Sequence, residues 1–266
     1  ELSTAKKAAL PVIAALGGMV VPALIFAAFN GGTVSERGWG IPMATDIAFA
    51  VGVLTLLGAR IPLGLRVFLL ALAIIDDLGA VLVIAFFYSD GVSATYLMYS
   101  AMTVFLVYLM NQSGIRNISL YVIVGVFLWF FFHESGIHST VAGVILGLMT
   151  PYYRIEEEDN APLDRLVSAL HPWVNYFVMP VFALANAGVV LAGFSFGELL
   201  SSTVSLGIVL GLLIGKPIGV FVFSYLACKL KIANLPRGVH WNHIAGAGIL
   251  AGIGFTMSLF INSLAF

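Results

Sequence analysis

Apolar stretches close to the length of a bilayer-crossing helix recur along this chain from one end to the other, and that repetition excludes most folds at once. The hydrocarbon core of a bilayer needs roughly 20 apolar residues of helix, and nine stretches approach it, at about 8–29, 36–58, 63–88, 94–112, 118–132, 136–150, 165–192, 202–227 and 240–266. Of the 266 residues 61% are hydrophobic and 9% charged, far below the roughly 25% charged of soluble domains. The stretches lack the polar–apolar alternation of a membrane barrel. The expectation is an all-α integral membrane protein, a polytopic helical bundle, over residues 1–266 as a single transmembrane domain.

Orientation follows from the basic residues, which collect in short cytoplasmic loops. When sides alternate from the N-terminus, one side receives Lys6, Lys7, Arg60, Arg66, Arg116, Arg154, Arg165, Lys229, Lys231 and Arg237, and the other only Arg37. That places the N-terminal end in the cytoplasm. With a formal net charge of −1 and no basic domain, nucleic acid is not an expected partner. The single cysteine, Cys228, excludes a disulfide framework and a thiolate metal site. Asn111-Gln112-Ser113 and Asn117-Ile118-Ser119 fit a glycosylation pattern but flank a cytoplasmic loop. His133, His138, His240 and His243 lie at span ends, and so do Trp39, Trp129, Trp173 and Trp241, as in an aromatic belt.

Four ionisable residues fall deep inside spans: Asp46, Asp76, Asp77 and Lys216. A charge at a helix centre costs about 2.5–3.5 kcal/mol on insertion scales, so such residues need partners or a watery cavity and mark ion pathways. Adjacent positions on a helix differ by about 100°, which lets Asp76 and Asp77 face different partners from one place. Lys216, between Gly215 and Pro217, is expected to pair with Asp76. A buried pair that only fixes helix packing is the plainer alternative.

Two spans carry helix breakers. In WGIPMATDIAFAVG, residues 39–52, Pro42 removes a backbone donor and Thr45-Asp46 reads as the N-cap of a new half-helix. A simple proline kink is the alternative. In the last span Gly252-Ile253-Gly254 precedes Thr256, although Gly248 and Gly252 also suit close helix packing. The two interrupted spans occupy matching places in groups that enter from opposite sides, a pattern expected of inverted-topology repeats whose two discontinuous helices cross at the midplane. The first repeat spans about 8–88, connecting helices about 94–192, and the second repeat about 202–266 with a last helix missing.

Carboxylates, a threonine hydroxyl and freed carbonyls are hard ligands for a small hard cation. Burial and a like-charged neighbour favour the protonated form of a carboxylate, so proton and cation would compete at Asp77, with Asp76, Thr45 and Asp46 as neighbours. No cofactor is called for.

TDIAFAVG, IIDDLGAV, GKPIGVF, HPWVNYFVMPVFALANAG and AGIGFTMSLFI, in this order, resemble the NhaA family of bacterial sodium/proton antiporters. The resemblance covers the whole chain. It implies twelve helices, of which this chain would lack the first two and the last. It further implies electrogenic exchange of cytoplasmic Na+ or Li+ for external H+, an inner-membrane location and often a homodimer. By the same resemblance Asp77 is the principal sodium- and proton-binding carboxylate, Asp76 its neighbour, Lys216 the charge partner of Asp76, and Thr45 and Asp46 mark the crossing of the broken helices, with Asp46 balancing helix-end charge. Some members carry an acidic residue and a His before HPW that act in pH sensing. Here Val167 and Ser168 stand there, leaving His171 and the acidic run Glu156, Glu157 and Glu158 as the groups for a pH response. Three rival readings are a sodium-coupled symporter on a related inverted-repeat fold, a retinal-type proton pump, and a passive cation channel.

Overall fold

The computed structural model describes residues 5–58, 61–89, 91–152, 161–186, 197 and 201–266. Glu156, Glu157, Glu158 and the end of the seventh stretch lie outside the described residues. The chain divides into two compact units, Glu1–Ala80 with Asn186–Phe266, and Val81–Ala185. Among the described residues there is helix and no strand, as a chain surrounded by lipid requires, because a helix satisfies its backbone polar groups internally.

Six helices are long and apolar enough to cross a bilayer among the described residues, or seven if the pair Trp241–Ala251 and Phe255–Ala265, bent by 46°, counts as one. The sequence led us to expect nine spans. The shortfall has local causes. The second stretch is not one helix: a 3-10 helix, Glu36–Met43, ends after Pro42, and helix α2, Ile47–Leu56, restarts past extended backbone at Ala44. The sixth stretch holds only the ten-residue helix Thr140–Met149.

The first unit is built on α1, Ala5–Asn30, and a helix that runs through Thr203–Leu210 (α9), a π turn Gly211–Gly215 and Lys216–Lys229 (α10). Their crossing depends on glycine. A Cβ on Gly17 would collide with Gly219 O and the Phe223 ring, and one on Gly18 would meet the Val220 side chain and lie over the aliphatic stem of Lys216. Small residues of this kind let backbones meet where lipid offers no hydrophobic incentive to associate. Helices α2, α3 (Leu63–Phe87), α11 (Trp241–Ala251) and α12 (Phe255–Ala265) complete the unit. One apolar cluster joins Leu10, Ala14, Leu54, Leu65, Phe68, Val220, Ile244 and Ala247.

In the second unit, α4 (Ala94–Gln112), α5 (Ile118–Ser135) and α6 (Thr140–Met149) pack through Val107, Met110 and Tyr121 and, separately, Leu128, Phe132 and Ala142. Asn117 caps α5 by accepting from Ser119 N at 3.0 Å, and Gly136, with φ +81°, closes it in the left-handed conformation that favours glycine. Helix α7, Pro162–Trp173, continues through a π turn, Val174–Val178, into α8, Met179–Asn186. The π turn follows Pro172, whose missing N–H breaks the regular ladder.

Candidate functional site

The intramembrane charges of the sequence converge in the first unit, at the place where two helices stop and restart. The 3-10 helix ends at Met43 and α2 begins at Ile47, so Ala44–Asp46 bridge two helix ends. Helix α11 ends at Ala251 and α12 begins at Phe255, leaving Gly252–Gly254 between them. Each helix end exposes unsatisfied carbonyls or N–H groups, and buried ones need partners.

The two breaks supply those partners to each other. Asp46 caps its own helix by accepting from Phe49 N at 3.0 Å through Oδ1. Its Oδ2 accepts from Thr256 N at 3.2 Å and from the Thr256 hydroxyl. One carboxylate thus caps two helix N-termini, α2 and α12, both of which carry partial positive charge. Thr45 Oγ1 donates to Ala251 O at 2.8 Å, capping the C-terminal end of α11. Asp46 N donates to Ile253 O at 2.7 Å, and Ser258 Oγ donates to Ile41 O at 3.0 Å. The end of the 3-10 helix is served by Lys216, whose ammonium donates to Met43 O and, at 2.6 Å, to Asp76 Oδ2. Cations at helix C-termini and anions at N-termini are the favourable arrangement, and this cluster has both.

Thr45, Asp76 and Lys216 are completely buried, and Asp77 is half-buried. The expected pairing of Lys216 with Asp76 is present as a buried ion pair. Two buried carboxylate oxygens have no hydrogen-bond partner among the described residues: Asp76 Oδ1 and Asp77 Oδ1. They sit on consecutive residues of α3, and both are hard donors suited to a small cation. Asp46, by contrast, spends both of its side-chain oxygens on helix N-termini, while the Thr45 hydroxyl gives its proton to Ala251 O and keeps its oxygen lone pairs.

Glycine keeps the cluster this tight. A Cβ on Gly252 would collide with Leu212 O, one on Gly254 with Ser258 Oγ, and one on Gly248 would come 3.0 Å from Pro217 Cα. Pro42 stands against Gly211 at the start of the π turn that precedes Lys216. His171 belongs to the second unit, where its Nδ1 lies 2.9 Å from Asn175 Nδ2. Sequence reasoning did not reach Ser258 or the carbonyls of Met43, Ala251 and Ile253. A serine two positions past Thr256 in a restarting helix was a weak signal for the first; a carbonyl has no signature in sequence at all.

The profile of the Na+/H+ antiporter 1 family matches residues 1–266. The chain belongs to this family. Among family members bearing the name Na(+)/H(+) antiporter NhaA, that of Rhodospirillum rubrum is 53% identical over 270 residues, covering 100% of this chain and 67% of the relative. Those of Escherichia coli O1:K1 and Shigella boydii serotype 4 are 52% and 51% identical over 267 residues, each covering 100% of this chain and 68% of the relative. The family resemblance carried by the five motifs is therefore borne out along the whole chain.

Proposed function

We propose that this chain is a multi-pass inner-membrane antiporter that exchanges cytoplasmic Na+ for external H+, with both ions competing for the Asp76–Asp77 carboxylates. Na+/H+ exchange is the activity for which its family is named. The observation that carries the mechanism is the pair of unpartnered carboxylate oxygens, Asp76 Oδ1 and Asp77 Oδ1, beside a buried lysine. A sodium ion entering there would gain hard oxygen ligands and displace the proton that competes for the same carboxylates. Lys216 holds Asp76 by one oxygen and leaves the other for the ion. Asp46 serves the site as a cap that fixes the two breaks against each other, and Thr45, which caps Ala251 O with its hydroxyl proton, keeps its oxygen lone pairs for the ion.

The same reading takes the two breaks as discontinuous helices of inverted repeats within a twelve-helix parent, with the N-terminal end of this chain in the cytoplasm, Li+ as an alternative cargo and a homodimer as the assembled form. Helix breaks of this kind build ion sites in secondary transporters because irregular backbone is tolerated where it lines a cavity. The full-length parent in proteoliposomes, with a trapped pH dye and an imposed inward-acid gradient, gives the test. Sodium pulses should dissipate the gradient in the parent and fail to do so, by at least about a hundredfold in rate, in Asp77→Asn. A gradient indifferent to sodium, or an Asp77→Asn variant with the parent's rate, would overturn the proposal.

A further inference from the structure

Arg66 is a charged residue that the ion site does not use. It stands at the start of α3, ten residues before Asp76, and is half-buried. Its Nη2 donates to Gly58 O, and its Nε, buried, has no partner among the described residues. Gly58 lies just past the end of α2 with φ +59°, the left-handed position at which helices terminate. Arg66 therefore caps the turn just beyond α2, the half-helix whose N-terminal end Asp46 caps.

Three contacts make this cap more than a local repair. Leu54 of α2 packs in one apolar cluster with Leu65, Phe68 and Leu69 of α3. Gly64, two residues before Arg66, is where α3 meets the segment leading into α11: a Cβ there would come 2.9 Å from Pro236 Cβ and 3.0 Å from Arg237 O. At their other ends α2 and α11 are joined by Thr45 donating to Ala251 O. The first turns of α3 thus reach the turn that follows α2 and the segment that leads into α11, two helices whose inner ends hold each other. Helix α2 itself is short, with Phe49 52% and Leu56 88% exposed, so its polar ends add to what buried Ala50 and Leu54 supply in holding it.

We propose that Arg66 is a positioning residue for exchange: it ties α2 to the helix that bears Asp76 and Asp77, so that cap and carboxylates move as one piece. A residue with this role sets how fast the loaded site is re-presented, not how well it holds sodium, because it touches neither carboxylate. The requirement is a donor that reaches Gly58 O, which lysine retains and alanine lacks. The inference rests on the antiporter reading given above.

The test compares the full-length parent with Arg66→Ala and Arg66→Lys in proteoliposomes, measuring the maximal rate and the half-saturating concentration for sodium pulses. Arg66→Ala should lose about tenfold in maximal rate with half-saturation within about twofold of the parent, and Arg66→Lys should recover most of that rate. Hydrogen exchange should rise at the end of α2, residues 53–58, in Arg66→Ala and remain at the parent's level in residues 70–80. A parent that ignores sodium would defeat the antiporter reading itself. With an active parent, an Arg66→Ala rate equal to the parent's would overturn the positioning role. So would a tenfold change in half-saturation that lysine does not repair. If Arg66→Ala does not reconstitute, exchange at residues 53–58 decides in Arg66→Lys: protection equal to the parent's supports the role, and its loss overturns it.

Discussion

The two helix breaks of the first unit meet the same physical demand with opposite means. The break at Ala44–Asp46 supplies side chains: the Thr45 hydroxyl and the Asp46 carboxylate reach across to helix ends on the far side. The break at Gly252–Gly254 itself offers backbone, with Ala251 O and Ile253 O as acceptors and Thr256 N as donor, and gains its fit by omitting side chains, the Thr256 and Ser258 hydroxyls following only once α12 has restarted. One break is rich in polar groups, the other in empty space, and each completes the other. The difference teaches that a sequence can mark an ion site by what it adds in one place and by what it leaves out in another.

Removing the added group should do the most damage. Asp46→Ala strips the cap from α2 and α12 together and leaves the Thr256 hydroxyl without its acceptor, at a cost of about 2–4 kcal/mol. Thermal unfolding of the full-length parent and variant in detergent measures it, and a loss no larger than that of a single surface cap would break the idea that one carboxylate serves both helices. Filling the empty space comes next. Gly252→Ala places a methyl against the backbone oxygen of Leu212, which cannot step aside as a flexible side chain would, and should cost about 1–3 kcal/mol in the same assay. If alanine is accepted without loss, the second break is not defined by close approach.

The smallest effect lies outside both breaks. His138, in the turn between α5 and α6, is held below its ordinary value first by burial and then by the neighbouring His133. A histidine depressed in the folded state adds stability above its unfolded value, and that stability is lost as pH falls below about 6.5. The melting temperature of the full-length protein should therefore drop on acidification, and drop less in His138→Gln. An unchanged drop in that variant would assign the acid sensitivity to other groups, the breaks included.

Much of this is legible in the sequence. Lys216, Asp76 and Asp77 announced themselves because a charge within an apolar stretch is costly enough to need an explanation, and the pairing of Lys216 with Asp76 followed from the scarcity of candidates. The capping role of Asp46 was visible in Pro42 followed by Thr45-Asp46, since proline stops a helix and an aspartate starts one. The nine-span expectation was weaker at the second and sixth stretches. Hydropathy records how apolar a segment is, not whether its backbone stays helical, and the apolar residues on both sides of Ala44–Asp46 keep the stretch hydrophobic across the break.

By itself, then, the sequence determined that the chain is a helical membrane protein, where its buried charges lie, and the family to which it belongs, because each of these is a property of residue type and spacing. The tertiary structure alone decided which oxygens are committed and which are open. Asp46 reads in one dimension as a carboxylate like Asp76 and Asp77, but donors as far along the chain as Thr256 reach both of its oxygens, and the Thr45 hydroxyl gives its proton to Ala251 O. Asp76 Oδ1 and Asp77 Oδ1 are left over, since whether a polar atom is satisfied depends on what folding brings within about 3 Å of it, and no local pattern records that.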